Sequence, residues 1–173
     1  MKNIRKHWYY IDPIEKVKSG YCIYFNEIYK GYFDLCFQFN NIKIQLFYST
    51  CTNNLDELVK WLKNIDSDNE TIEFRIDEEG PINLITINKI ISNDNNKYEL
   101  IFSNNGYIFK KEIHKKIFLK KILNALYILI NNKIWGINNY YGEFIKKELS
   151  NLFIKYNIKD YKECSECKER LCE

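Results

Sequence analysis

The sequence predicts an α+β fold, a mainly antiparallel sheet of about six or seven strands with two or three helices packed on one face. Three observations predict it. Runs of aromatic and β-branched residues alternate with polar ones at a period of two. Short Asn- and Gly-rich turns join most of these runs. Three other segments carry apolar residues at helical spacing.

In chain order, residues 21–28 (YCIYFNEI) and 32–39 (YFDLCFQF) flank Lys30-Gly31. Asn40-Asn41 leads into 42–48 (IKIQLFY), where Ile42, Ile44 and Leu46 alternate with Lys43, Gln45 and Phe47. These three read as an antiparallel meander. Residues 53–65 (NNLDELVKWLKNI) then read as a helix. Asn54 can cap it, Asp56 and Glu57 complement its dipole, and Leu55, Leu58, Val59, Trp61, Leu62 and Ile65 form its stripe.

Strands resume at 71–77 (TIEFRID), with Ile72, Phe74 and Ile76 against Glu73, Arg75 and Asp77. The turn 78–81 leads to a strand at 82–90, and Asp94-Asn95-Asn96 to one at 97–103. Asn104-Asn105-Gly106 is a hairpin signal before 107–113. A second helix is predicted over 115–132, with Ile117, Phe118, Ile122, Ala125, Leu126 and Leu129 on one side. A third is predicted over 142–156, with Phe144, Ile145, Leu149, Leu152, Phe153 and Tyr156. Residues 1–157 thus read as one α+β domain and 158–173 as a Cys-bearing tail.

At 173 residues, 46% hydrophobic and 28% charged, the chain is long and apolar enough to bury a sizeable core. Ile, Asn and Lys dominate, whereas Ala occurs only at 125 and Val only at 17 and 59. That skew points to an AT-rich genome. Lys2, Arg5 and Lys6 are followed by charges at 12, 15, 16 and 18, which interrupt any signal-peptide core. The apolar run 122–130 is too short to span a bilayer. A cytoplasmic location is the expectation.

The net charge of +3 is too small to imply nucleic acid by itself, but the charges are polarised. Seven acids (Asp66, Asp68, Glu70, Glu73, Asp77, Glu78 and Glu79) face one base, Arg75, between 66 and 79. Six lysines (Lys110, Lys111, Lys115, Lys116, Lys120 and Lys121) face Glu112 between 110 and 121. Such fields steer association with oppositely charged partners, although solvated faces give the same pattern. The acidic segment suits a basic protein cleft and the basic one suits nucleic acid. Trp135, Tyr140 and Tyr141 cluster in 134–144, either as a contact loop or as core.

Three groupings raise metal or redox chemistry. Cys164 and Cys167 form a C-x-x-C and Cys172 follows, but zinc needs a fourth ligand from elsewhere in the chain or from a second chain. A thioredoxin-like role needs the C-x-x-C to open a helix after a strand. Reduced, idle thiols are the third reading. Asp66, Asp68, Glu70 and Asp77 occupy positions of a calcium loop, but Thr71 stands where its glycine belongs and no second helix follows. With two histidines, six glycines and neither G-x-x-x-x-G-K-[ST] nor G-x-G-x-x-G, no catalytic motif is visible. No enzyme activity and no cofactor are expected.

Over 42–130, the succession of a strand (IKIQLFY), the helix NNLDELVKWLKNI, the strands TIEFRIDEEGPINLITI and the helix IFLKKILNALYILI resembles small bacterial immunity proteins of the WapI type. These also place an L-x-x-L-x-x-W/F-L helix before an F-x-x-E-x strand pair. The third helix and the Cys tail depart from that pattern. The resemblance implies a non-enzymatic antidote that binds a toxin. Anti-CRISPR proteins, small inhibitors of bacterial defence nucleases, are similar in size and in lacking motifs. The expected role is therefore a stoichiometric inhibitor of a bacterial protein partner, contacting it through Asp66, Asp68, Glu70, Asp77, Glu78, Glu79, Trp135, Tyr140 and Tyr141. The alternative is a nucleic-acid-binding protein using Lys110, Lys111, Lys115, Lys116 and Lys120, stabilised by zinc on Cys164, Cys167 and Cys172. Elemental analysis of protein purified without a histidine tag is expected to find no stoichiometric zinc. One ion per chain would make the tail a metal site.

Overall fold

A computed structural model describes residues 9–10, 20–29, 32–39, 42–49, 54–67, 69–77, 82–92, 94–104, 106–131 and 139–158. The order is β1 (Tyr9–Tyr10), β2 (Cys22–Tyr29), β3 (Tyr32–Phe39), β4 (Ile42–Ser49), α1 (Asn54–Asp66), β5 (Thr71–Asp77), β6 (Ile82–Lys89), β7 (Lys97–Asn104), β8 (Tyr107–His114), α2 (Lys115–Asn131) and α3 (Asn139–Lys155). The α+β class is as the sequence predicts, but the strands are shared between two antiparallel sheets instead of one. Their orders are β1-β4-β3-β2 and β5-β6-β7-β8. Each is a run of consecutive strands. Helix α1 intervenes between β4 and β5, and the far edge of β4 is taken by β1 through Tyr9–Ile44 and Tyr10–Lys43.

In the first sheet, register aligns Ile23, Phe37 and Ile44 in one row and Phe25, Leu35 and Leu46 in the next. All six are buried. In the second sheet, Phe74, Ile85, Phe102 and Phe109 form one inward row, beside Ile72, Ile87 and Leu100. The hairpin between β7 and β8 turns through Gly106 at φ +88°, a left-handed backbone that glycine adopts without a Cβ clash.

Aromatic rings join the layers. Phe37 of β3 meets Phe102 of β7 edge-on at 4.9 Å and stacks with Phe118 of α2 at 6.3 Å. Trp61 of α1 stacks on Phe74 at 5.1 Å and meets Phe118 edge-on at 5.9 Å. These five rings are fully or almost fully buried. Helices α1 and α2 thus sit against the inward sheet faces, with the sheets touching through Phe37 and Phe102.

The stripe on α2 is shifted from the predicted one. Ile117 is 50% exposed, whereas Leu119 and Leu123 are buried with Phe118, Ile122 and Leu126. Helix α3 begins at Asn139, three residues earlier than predicted. Its Ile145, Leu149, Leu152 and Phe153 are buried. The chain ends its described course at Ile158, which is itself in the core. Asn54, predicted as the cap, is the first residue of α1.

Trp61→Ala should cost about 3–5 kcal/mol in urea unfolding, because it removes contacts to α2 and β5 together. Tyr156→Phe, which deletes a hydrogen bond to Asp66 described below, should cost only about 1 kcal/mol.

Candidate functional site

Among the described residues, the acids of the stretch 66–79 have different surroundings. Asp66 ends α1, and its carboxylate accepts from Lys155 Nζ at 2.7 and 3.0 Å and from Tyr156 Oη at 2.9 Å. With 19% of its side chain exposed, it ties α1 to the end of α3. The sequence reading expected a partner contact at Asp66, and the structure places it in this tie within the molecule. Lys63 makes a parallel tie to Glu148 at 2.6 Å and holds that carboxyl below its usual range. Glu70 and Glu73 are exposed, and Asp77 is the last residue of β5. Asp68, Glu78 and Glu79 lie outside the described residues.

The calcium-loop spacing fails on geometry. Residues 71–77 are an extended strand rising about 3.3 Å per residue, so the backbones of Glu70 and Asp77 are about 23 Å apart. Among the described residues, no group of three or more His, Cys, Asp and Glu is placed to hold a metal. Cys164, Cys167 and Cys172 lie outside the described residues.

The basic segment is also divided. Lys110 pairs with Glu99 at 3.4 Å on the outward face of β8. Lys111 lies on the inward register of that strand, opposite Leu100. Lys115 is buried beneath the Tyr98 ring, its Nζ 5.9 Å from the centroid. Lys121 donates to the Tyr21 carbonyl at 2.5 Å and lies 4.8 Å from the Tyr21 ring centroid. Lys116 and Lys120 are exposed one turn apart on α2, and Lys110 is exposed on β8. Three such lysines on two elements are a smaller phosphate footprint than six together. Tyr140 and Tyr141 stand in the first turn of α3 instead of a loop, and Trp135 lies outside the described residues.

The most distinctive surface is one that sequence reasoning did not single out, the outward face of the second sheet. Register sets Arg75, Leu84, Ser103 and Ile108 in one row and Glu73, Thr86, Ile101 and Lys110 in the next. Ile82 lies two residues before Leu84 on the same face. Four aliphatics thus gather around Ser103. Ile108 is 65% exposed and Ile82 41%, while Leu84 and Ile101 are half-buried. Charges frame them: Glu73 and Arg75 on β5, Lys110–Glu99, and Lys97–Glu112 at 3.1 Å. The signal in the sequence is Ile82-Asn83-Leu84-Ile85, where apolar residues fall on both faces of one strand. The ring contacts of Phe102 and Phe74 to the rest of the fold are made on the inward face of this sheet.

Comparison with protein-family models, curated proteins and solved structures returns no match.

On the first sheet, Cys36 is fully buried between Tyr24 and Gln45 of the neighbouring strands. Burial pushes its thiol up to about 12 from an ordinary 9.0. The unfolded thiol ionises first as pH rises. The stability this difference represents is therefore present below pH 9 and is lost between 9 and about 12. Cys36 should resist maleimide in the native protein and react once urea unfolds it. Mass spectrometry of the labelled peptide reads the difference, and rapid native labelling of Cys36 would contradict its burial.

Proposed function

We propose that the chain is a non-enzymatic, stoichiometric inhibitor that binds a bacterial protein, a toxin or a defence nuclease, through the outward face of its second sheet. The observation that carries this reading is the aliphatic cluster of Ile82, Leu84, Ile101 and Ile108 within a charged frame. Exposed apolar centres with polar rims are the anatomy of protein interfaces. A four-stranded meander presents them on a stiff platform, so little side-chain or backbone order remains to be imposed on binding. Exposed Glu70 and Glu73 outnumber Arg75 on the β5 side, which suits a partner that is apolar at the centre of its contact and basic at one side. The nucleic-acid grooves of nucleases have that charge. The order of strands and helices resembling WapI-type immunity proteins supports the same class of role. The separation of the six lysines gives the nucleic-acid reading less support.

An antidote must outcompete its target's substrate, so the complex should have a Kd of about 1 nM or below. Capture with the tagged chain from its host's lysate, with nuclease treatment, should recover one stoichiometric protein. The I82D/I108D double variant alters only exposed side chains and should stay folded by circular dichroism. It should lose that same protein, weakening the purified complex by about 100-fold or more. A folded variant that keeps full affinity would remove the sheet face from the reading. Recovery of nucleic acid in place of protein would move the function to Lys116 and Lys120.

A further inference from the structure

We infer that β5 is a self-pairing edge: two copies of the chain join antiparallel through Thr71–Asp77 about a two-fold axis at Phe74, extending the second sheet to eight strands. Strand β5 is the terminal strand of that sheet. The Lys89 amide donates to the Glu70 carbonyl at 2.8 Å, which fixes the alternation of bonds between β5 and β6. Since Glu70 and Lys89 are a hydrogen-bonded pair, so are Ile72–Ile87, Phe74–Ile85 and Ile76–Asn83. The N–H and C=O groups of Thr71, Glu73, Arg75 and Asp77 therefore point away from β6. Among the described residues, no hydrogen bond outside the sheet ladder takes them. Such a row is a template for another strand.

The side chains specify which strand. Glu73 and Arg75 are exposed on the outward face. In antiparallel pairing about Phe74, Glu73 falls opposite Arg75 of the second copy, and the two-fold axis repeats that pair. Thr71 falls opposite Asp77, and Ile72 opposite Ile76. The residues brought opposite at Glu73–Arg75 and Thr71–Asp77 are those whose backbone groups point outward, so bonds and charges agree in one register. A slip of two residues either way sets Glu73 against Glu73 or Arg75 against Arg75, and like charges directly opposite are destabilising. The other terminal strand, β8, is less suited. Its corresponding two-fold register also brings Lys110 opposite Glu112, but it sets Lys111 against Lys111, and its Lys110 and Glu112 are already paired to Glu99 and Lys97. The occupant of the β5 edge is thus a second copy of this chain. The partner-binding reading centres on Ile82, Leu84, Ile101 and Ile108 and shares only the β5 charges with this inference, so the I82D/I108D variant tests the one and the Glu73 and Arg75 exchanges test the other.

Sedimentation of the full chain at tens of micromolar should give twice the 21.0 kDa of one copy. E73R alone, or R75E alone, creates two like-charge pairs across the axis and should weaken self-association by about tenfold or more. The two single variants mixed should form a heterodimer, because each then meets its opposite. The double exchange E73R/R75E should restore the wild-type dimer. Restoration also shows that the single variants were folded. A wild-type chain that stays monomeric throughout that range overturns the inference. So do single variants that dimerise as well as the wild type, or a mixture that shows no heterodimer.

Discussion

The packing of five aromatic rings is the constraint on which the rest of this fold depends. Phe37, Phe102, Phe118, Trp61 and Phe74 come from both sheets and two helices, and each touches a ring from another element. Neither sheet alone can bury its inward face. Pairs of rings in edge-on or offset contact add about 0.5–1.5 kcal/mol beyond their burial. Because the cluster spans the layers, it fixes which sheet face is inward and leaves the other face of the second sheet to solvent. The candidate contact surface is in that sense a by-product of where the rings are.

Charge plays a different part here from the one its distribution along the chain suggests. Asp66 with Lys155 and Tyr156, and Lys63 with Glu148, spend charges on holding α1 to α3. Lys115 and Lys121 spend theirs on the ring of Tyr98 and the carbonyl of Tyr21. Largely exposed pairs such as Lys63–Glu148 are individually weak, each about 0–1 kcal/mol. Their effect on function is larger, because a lysine already engaged inside the molecule offers less to a phosphate. The separation of the basic segment follows from its crossing the β8–α2 junction, where successive residues point to different faces.

Local elements were legible in the sequence because period-two and helical spacing report which residues face inward. Strands β5 to β8 fall within a residue of their expected limits. The division into two sheets was not legible, since strand spacing carries no information about which non-neighbouring strands pair. The pairing of Tyr9–Tyr10 with β4 was missed for the same reason. Asp66 looked like one acid among seven. Its partners lie 89 and 90 positions away along the chain, beyond the reach of any local pattern. The aliphatic face was hidden because β6 carries apolar residues on both sides, so its pattern does not show which side is covered.

At the far end of the second sheet, Asn104 donates its side-chain amide to the Asn83 side chain, and both residues are buried. Elsewhere the inward positions of β6 and β7 are nearly uniform aliphatic or aromatic residues, which by themselves would tolerate sliding one strand along the other. A slide of two residues would set one asparagine against isoleucine or phenylalanine and break this hydrogen bond. Losing a buried hydrogen bond costs about 1–3 kcal/mol. The pair of asparagines therefore marks out the native alignment of the hairpin from shifted ones that the aliphatic residues alone would accept.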